Sequence, residues 1–281
     1  MSMPAAGPTP LLTVRGVSVK FAGVTALSGV SLDVQPGEIF AVIGPNGAGK
    51  TSLFNVISRV YTPVAGSVVY DGRNVLSLKT HQVARAGIGR TFQNLGQFPQ
   101  TALLDYLLLG RHTRMRSGIL LGGLYFGVAR GEEAANRAEC LHLLELVGLA
   151  RFAGAPLGSL PYGLQKRADL ARALAQKPKL LLLDEPVAGM GLEESKDIAA
   201  IILDIKEQLG VTQVLVEHDM AMVMGIADHV LVLDFGRVIA EGMPSVVQSN
   251  PDVIRAYLGE EMSGGQADVT AAAPPQAAPP R

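Results

Sequence analysis

The sequence predicts an α/β fold built on a mainly parallel sheet, with a helical subdomain inserted into it. Three observations predict this. Strand-length apolar runs alternate with amphipathic helical stretches along the chain, the pattern of a sheet covered by helices. One of these runs, Phe40–Ile43, leads directly into a glycine-rich loop. A block from about residue 94 to 160 reads as mostly helical and interrupts the alternation.

The elements follow in order. Residues 1–10, rich in Pro and Ala, predict a disordered N-terminus, and folded chain is expected over 11–259. Val14–Phe21 and Val30–Val34 are β-rich, and Ser52–Val60 should be helix after the glycine loop. Ser67–Tyr70 reads as a strand closed by the Asp71-Gly72 turn. Leu103–Leu109 and Glu132–Val147 predict helices, the second with Ala134, Ala138, Leu141 and Leu144 on one face. Leu164–Ala175 is a further helix, ended near Pro178. Leu180–Leu183 is a buried strand. Leu192–Leu209 is an amphipathic helix with Ile198, Ile201, Ile202, Ile205 and Leu209 on its stripe. Val214–Val216 and Val230–Leu233 are strands, and Asp234-Phe235-Gly236 is the turn leading to Val238-Ile239. Residues 260–281, rich in Ala, Pro and Gln, predict a disordered tail, in which Ser263–Gln266 is read as a chance string.

Composition narrows the function classes. A chain of 281 residues can bury a sizeable core. Its 48% hydrophobic content fits strands buried on both faces. The most apolar stretch away from the motifs, Ser117–Ala129, falls short of the roughly 20 residues a spanning helix needs. No basic region followed by an apolar run opens the chain, so no secretory signal is expected. The single cysteine, Cys140, excludes an intramolecular disulfide. A net charge of −1 gives no argument for a nucleic-acid partner. The expectation is a cytoplasmic chain that meets a membrane only through a partner.

Gly44-Pro45-Asn46-Gly47-Ala48-Gly49-Lys50-Thr51 fits the P-loop pattern in full, after an apolar strand and before a helix. Glycines let the backbone curl so that successive N–H groups point at phosphate oxygens, and the helix start adds its positive dipole end. Lys50 would reach the β- and γ-phosphates, Thr51 would offer its hydroxyl to Mg²⁺, and Ser52 would bond a phosphate oxygen. Downstream, Leu180–Leu183 ends in Asp184-Glu185-Pro186. Ligands of such sheets sit at the carboxyl ends of strands. Asp184 is the candidate Mg²⁺ ligand and Glu185 the candidate general base that polarises the attacking water.

In motif order, residues 11 to about 259 resemble ABC transporter ATPases. That resemblance implies a P-loop ABC-ATPase fold with an added antiparallel β subdomain, and ATP with Mg²⁺ as ligands. Phe21 matches the aromatic ring stacked on adenine. Gln93, in Arg90-Thr91-Phe92-Gln93-Asn94, matches the glutamine that senses Mg²⁺ and links to the membrane subunit. Leu160-Pro161-Tyr162-Gly163-Leu164-Gln165 stands where the family carries its signature, which places Tyr162 and Gly163 against nucleotide. His218, in Val216-Glu217-His218-Asp219, matches the switch histidine at the γ-phosphate.

Two segments depart from the family pattern. Pro161 replaces the signature serine and supplies neither hydroxyl nor N–H, Tyr162 replaces a glycine, and Gly163 is kept. Gly191 stands where the loop after Glu185 usually has aspartate or asparagine. The resemblance further implies a nucleotide-sandwiched dimer, in which the signature of one chain completes the P-loop site of the other. The strings Ser52–Asn55, Leu160–Arg167, Glu217–Met220 and Pro251–Gly259 resemble the ATPases of branched-chain amino-acid importers. Such importers imply transmembrane permease subunits, a second and different ATPase chain, a periplasmic solute-binding protein acting indirectly, and a peripheral place on the cytoplasmic face of the inner membrane. The alternatives are the ATPase of a lipopolysaccharide-extraction type exporter and a soluble ABC protein of translation or DNA repair. One P-loop and no sustained heptads speak against the latter.

Overall fold

The computed structural model describes residues 9–91, 98–111 and 126–264. Gln93 and most of the Ser117–Ala129 stretch lie outside the described residues.

The N-terminal strands form an antiparallel sheet. β1 (Leu12–Phe21) pairs with β2 (Val24–Val34) on one side and with β4 (Ala65–Tyr70) on the other. Two-residue β5 (Arg73–Asn74) closes the order β2-β1-β4-β5. Leu12, Val14, Val17 and Val19 are buried, the alternation of a sheet with one covered face. β2 starts at Val24, earlier than its apolar run. Ala26, Ser28 and Gly29 have weak strand preference and fall between the register pairs with β1; Ser28 N–H donates to the Gly236 carbonyl at 2.8 Å and Gly29 N–H to the Ser18 hydroxyl at 2.9 Å.

The second sheet has six strands in the order β10-β9-β3-β8-β7-β6. They are β3 (Ile39–Ile43), β6 (Ile88–Arg90), β7 (Leu180–Asp184), β8 (Thr212–Val216), β9 (His229–Asp234) and β10 (Arg237–Gly242). All neighbours run parallel except β9 and β10, a hairpin turning at the expected Phe235-Gly236. Every residue of β3, β7 and β8 is buried, and apolar runs dominate them, with Thr212, Gln213 and Asp184 as the buried polar exceptions. Val216 stands in register with both Val42 and Asp184. The loops after β3, β7 and β8 therefore open side by side at one end of the sheet, and the P-loop, the Asp184-Glu185 pair and His218 lie on them.

Helices α1 (Lys50–Ile57), α2 (Thr80–Ala86), α6 (Leu192–Leu209), α7 (Met220–Ile226), α8 (Pro244–Gln248) and α9 (Pro251–Gly264) surround the sheets. A separate helical layer holds α3 (Leu103–Arg111), α4 (Phe126–Leu146) and α5 (Tyr162–Ala175), which pack on one another. α1 ends at Ile57, short of the expected Val60. The Ser58 hydroxyl turns back to the Phe54 carbonyl at 2.7 Å, and Arg59 takes a φ of 61°. In α6 the isoleucines are buried as expected, but Leu209 is left outside by the helix end.

The expected face of α4 is right for Leu144, which is buried, and wrong for its other three residues. Ala134, Ala138 and Leu141 face solvent, while Asn136, Cys140, Leu143, Leu144 and Val147 are buried. The stripe is rotated because Asn136 turns inward to accept a hydrogen bond from the buried Arg111 Nε at 2.6 Å.

Candidate functional site

After β3 the chain turns through the P-loop, and two glycines show how tightly that loop is wedged. Gly44 has φ 149°, and a Cβ there would sit 2.0 Å from the Leu233 carbonyl oxygen. Gly49 has φ 102°, and its Cβ would meet the Ala26 carbonyl oxygen at 2.5 Å. No L side chain fits either place. The turn of the β9–β10 hairpin braces the loop, with Gly236 N–H donating to the Ala48 carbonyl at 3.0 Å. Gly49 is the N-cap of α1, and no side chain caps that helix among the described residues. Its first-turn N–H groups therefore stand ready for an anion.

Ala26, the segment 46–52 and Glu185 wall one cleft. Lys50 is buried beside it. Its ammonium donates to the carbonyls of Gly44 at 2.6 Å and Pro45 at 2.9 Å, folded back over the loop it would serve. Thr51 is exposed at the mouth and Ser52 half-buried.

Asp184 ends β7 and is 1% exposed. Its Oδ2 accepts from Arg90 Nη2 at 2.8 Å. Its Oδ1 is buried and has no hydrogen-bond partner among the described residues. A buried carboxylate oxygen without a donor is rare. It suits a hard cation, and like the Thr51 hydroxyl it is an oxygen donor of the kind Mg²⁺ prefers. These residues fit the ion.

Glu185 leaves the strand abruptly. Its φ of 49° is left-handed, a conformation that costs a non-glycine residue about 1–3 kcal/mol. Three contacts hold it there. Glu185 N–H donates to the Val216 carbonyl at 2.9 Å, and the Glu185 carbonyl accepts from Lys166 Nζ at 3.0 Å. Two residues on, Val187 N–H donates to Glu217 Oε1 at 2.9 Å. The turn aims the Glu185 side chain into the cleft wall instead of continuing the strand.

His218 follows β8, with its ring 59% exposed and its Nδ1 3.6 Å from Glu217 Oε2. Glu217 itself is fully buried and also accepts from the His218 N–H at 3.1 Å. Burial pushes its carboxyl above the ordinary glutamate range, and the N–H groups of Val187 and His218 pull it part of the way back.

The remaining expected residues stand apart from this cleft. Phe21, at the end of β1, is 43% exposed and meets Tyr61 edge-on at 4.9 Å. Tyr162 and Gly163 open α5 and line no part of the P-loop cleft. Tyr162 lies beside Gly189, and Gly163 lies beneath the Glu194 carboxylate. Gln93 is outside the described residues. Arg90, Lys166 and Glu217 were not predicted as site residues. Each sits inside a motif string, and a charged residue next to an apolar strand or on the inner face of a helix was the one sign of its burial.

The profile of the ABC transporter family matches residues 27–188, and that of the branched-chain amino acid ATP-binding cassette transporter matches residues 237–262. The high-affinity branched-chain amino acid transport ATP-binding protein BraF of Pseudomonas aeruginosa is 39% identical over 251 residues, covering 89% of this chain and 98% of BraF. The corresponding LivG of Escherichia coli is 38% identical over 251 residues, covering 89% and 98%. The solved ADP conformation of MJ1267, an ATP-binding cassette of an ABC transporter, superposes with a TM-score of 0.78 at 30% identity, over 89% of this chain and 99% of that one. The dimeric structure of MJ0796, a bacterial ABC transporter cassette, gives 0.70 at 25% identity over 83% and 98%. A profile spanning more than half of the chain, and relatives matched almost end to end, agree with the loop, the acidic pair and the sheet order: the chain belongs to the ATP-binding cassette family of ABC transporters.

Proposed function

We propose that this chain hydrolyses ATP to drive a membrane importer of branched-chain amino acids or related small polar solutes. One observation carries the catalytic part: Glu185, at the end of β7, walls the same cleft as P-loop residues 46–52. ATP is the substrate. Its phosphates replace the Gly44 and Pro45 carbonyls as partners of Lys50 and accept from N–H groups at the start of α1. Glu185 accepts a proton from water as the water oxygen attacks the γ-phosphorus, and the bond to the ADP oxygen breaks. His218, exposed at the neighbouring strand end, offers an imidazole to the γ-phosphate. Asp184 and Thr51 would hold Mg²⁺, with Gln93 as a further candidate; bound there, the ion neutralises charge on the β- and γ-phosphates. Phe21 offers an exposed ring face for adenine.

Tyr162 and Gly163 do not reach their own chain's cleft, so they serve a second copy or a related ATPase. The solved dimer of a similar cassette supports that reading. No described helix is long and apolar enough to cross a membrane. The proposed place is the cytoplasmic face, held by permease subunits, with a periplasmic binding protein acting through them. The match of residues 237–262 to the branched-chain amino acid cassette profile supports this substrate class. The test is Glu185→Gln. Nucleotide binding should persist, turnover should stop, and ATP should trap a dimer on size exclusion. Full turnover in Glu185→Gln would overturn the assignment of the base.

A further inference from the structure

A line of buried polar contacts runs from the helical layer to the helix behind the P-loop. It starts at Tyr106 on α3, whose hydroxyl donates to Asp169 Oδ1 on α5 at 2.9 Å. The same oxygen accepts from Arg172 Nε at 2.7 Å. Arg172 Nη2 then donates to the Arg90 carbonyl at 3.0 Å. Tyr106, Asp169 and Arg172 are each at most 5% exposed.

At Arg90 the line forks. Nη1 donates to Asn55 Oδ1 and to Ser58 Oγ, each at 2.8 Å, both from the α1 segment. Nη2 donates to Asp184 Oδ2 at 2.8 Å. One planar guanidinium thus ties the end of β7 to the helix that begins at Lys50, and its backbone takes the tie from α5. A planar fork of this kind fixes direction as well as distance. With Oδ2 held, Asp184 has one way to turn, and Oδ1 is the oxygen left without a donor among the described residues.

We propose that Arg90 is a positioning residue for Asp184. Its grip on Oδ2 leaves Oδ1 as the oxygen available to a cation, and makes the set of that carboxylate depend on how α3 and α5 sit. The inference rests on the reading of Asp184 as a Mg²⁺ ligand. A shift of the helical layer moves the Arg90 backbone, and Asp184 and α1 move with it.

The test is Mg²⁺-dependent nucleotide binding by the full chain, read with a fluorescent ATP analogue over a Mg²⁺ titration. The chains compared are wild type, Arg90→Lys, Arg90→Met and Asp184→Asn. In metal-free buffer the Arg90 variants should bind the analogue within about threefold of wild type. Arg90→Met should raise the half-saturating Mg²⁺ concentration about tenfold or more. Arg90→Lys keeps the charge but cannot bridge Asn55, Ser58 and Asp184 together, and should give a smaller rise; it decides the matter where Arg90→Met does not fold. An unmoved Mg²⁺ midpoint in the folded Arg90 variants, with Asp184→Asn shifted, would overturn the inference alone. A tighter midpoint in Arg90→Met would show the guanidinium competing with the cation, and would overturn it too. An unmoved midpoint in Asp184→Asn would remove the reading of Asp184 and the inference with it.

Discussion

Replacing Glu217 tests whether the loop after Glu185 is held by one buried carboxylate. Glu217 is fully buried, and its two oxygens accept from Val187 N–H at 2.9 Å and His218 N–H at 3.1 Å. Glu217→Ala strands both donors, and each buried unsatisfied donor costs about 1–3 kcal/mol. The expected loss is about 2–6 kcal/mol, a large share of the roughly 5–15 kcal/mol that holds a domain together. Glu217→Gln keeps the volume and one acceptor oxygen but sets an NH₂ against a donor, so about 1–3 kcal/mol is expected. The pH dependence has a definite sign. Burial raises the Glu217 carboxyl above its unfolded value. Its contribution is therefore complete at pH below the ordinary glutamate range and fades as pH rises through the raised folded value. The deficit of Glu217→Gln relative to wild type should shrink over that same rise. Val187 lies two residues past Glu185 and His218 is next in sequence, so turnover should fall about tenfold to a hundredfold, with ATP affinity within about threefold of wild type. Urea unfolding at several pH values, nucleotide titration and steady-state turnover measure the three effects. A Glu217→Ala protein with unchanged urea midpoint and unchanged kcat would refute the reasoning.

Two further substitutions probe the loop and its brace. Gly49→Ala forces a Cβ to 2.5 Å from the Ala26 carbonyl oxygen at φ 102°, and left-handed strain alone costs about 1–2 kcal/mol. ATP affinity should drop at least about tenfold, and a nucleotide titration matching wild type would show that the loop does not keep this shape. Phe235→Asn should stabilise the protein. The ring is 85% exposed and sits at φ 42° in a two-residue hairpin turn, where asparagine is the favoured residue. A gain of about 1 kcal/mol, or about 2–4 °C in Tm, is expected, and a thermal melt with no rise would contradict it.

The parts of the site that were legible in the sequence are local. The P-loop announces itself because curl, lysine and helix start fall within eight consecutive residues, Gly44–Thr51. Asp184 and Glu185 show because a strand buried on both faces ends on two charges. The hidden parts depend on contacts distant in sequence. β6 is three residues long and carries no periodic pattern, so its place at the sheet edge comes from pairing with β7. Arg90 gains its meaning only from Asp184, which lies 94 residues later. The face of α4 is not legible from its apolar letters alone, because Asn136, bonded to Arg111, lies on the buried side with Cys140, Leu143, Leu144 and Val147. The end of α1 was placed too late because nothing in Ser58-Arg59-Val60 advertises the back-bonded serine and left-handed arginine that stop it.

Glu185 shows why these distant contacts matter to chemistry. Left alone, a glutamate after an apolar strand relaxes to extended or right-handed backbone, and its carboxylate swings away from the P-loop cleft. The strained turn persists only because its neighbours over-determine it. β8 fixes the N–H through Val216, α5 fixes the carbonyl through Lys166, and Glu217 fixes the chain two residues on. These anchors come from different segments, and each segment carries something else. Glu217 adjoins His218. Lys166 lies one helical turn beyond Tyr162, and its ammonium sits 5.7 Å from that ring's centroid. Tyr162 is thus more than a loss of the family's glycine, because its π face flanks the buried cation that holds the Glu185 carbonyl at 3.0 Å. The direction of the Glu185 carboxylate is therefore set jointly by the strand end bearing His218 and by the helix whose first turn is Tyr162-Gly163. Neither segment can move as a body without releasing one of the contacts that hold the base in its strained turn.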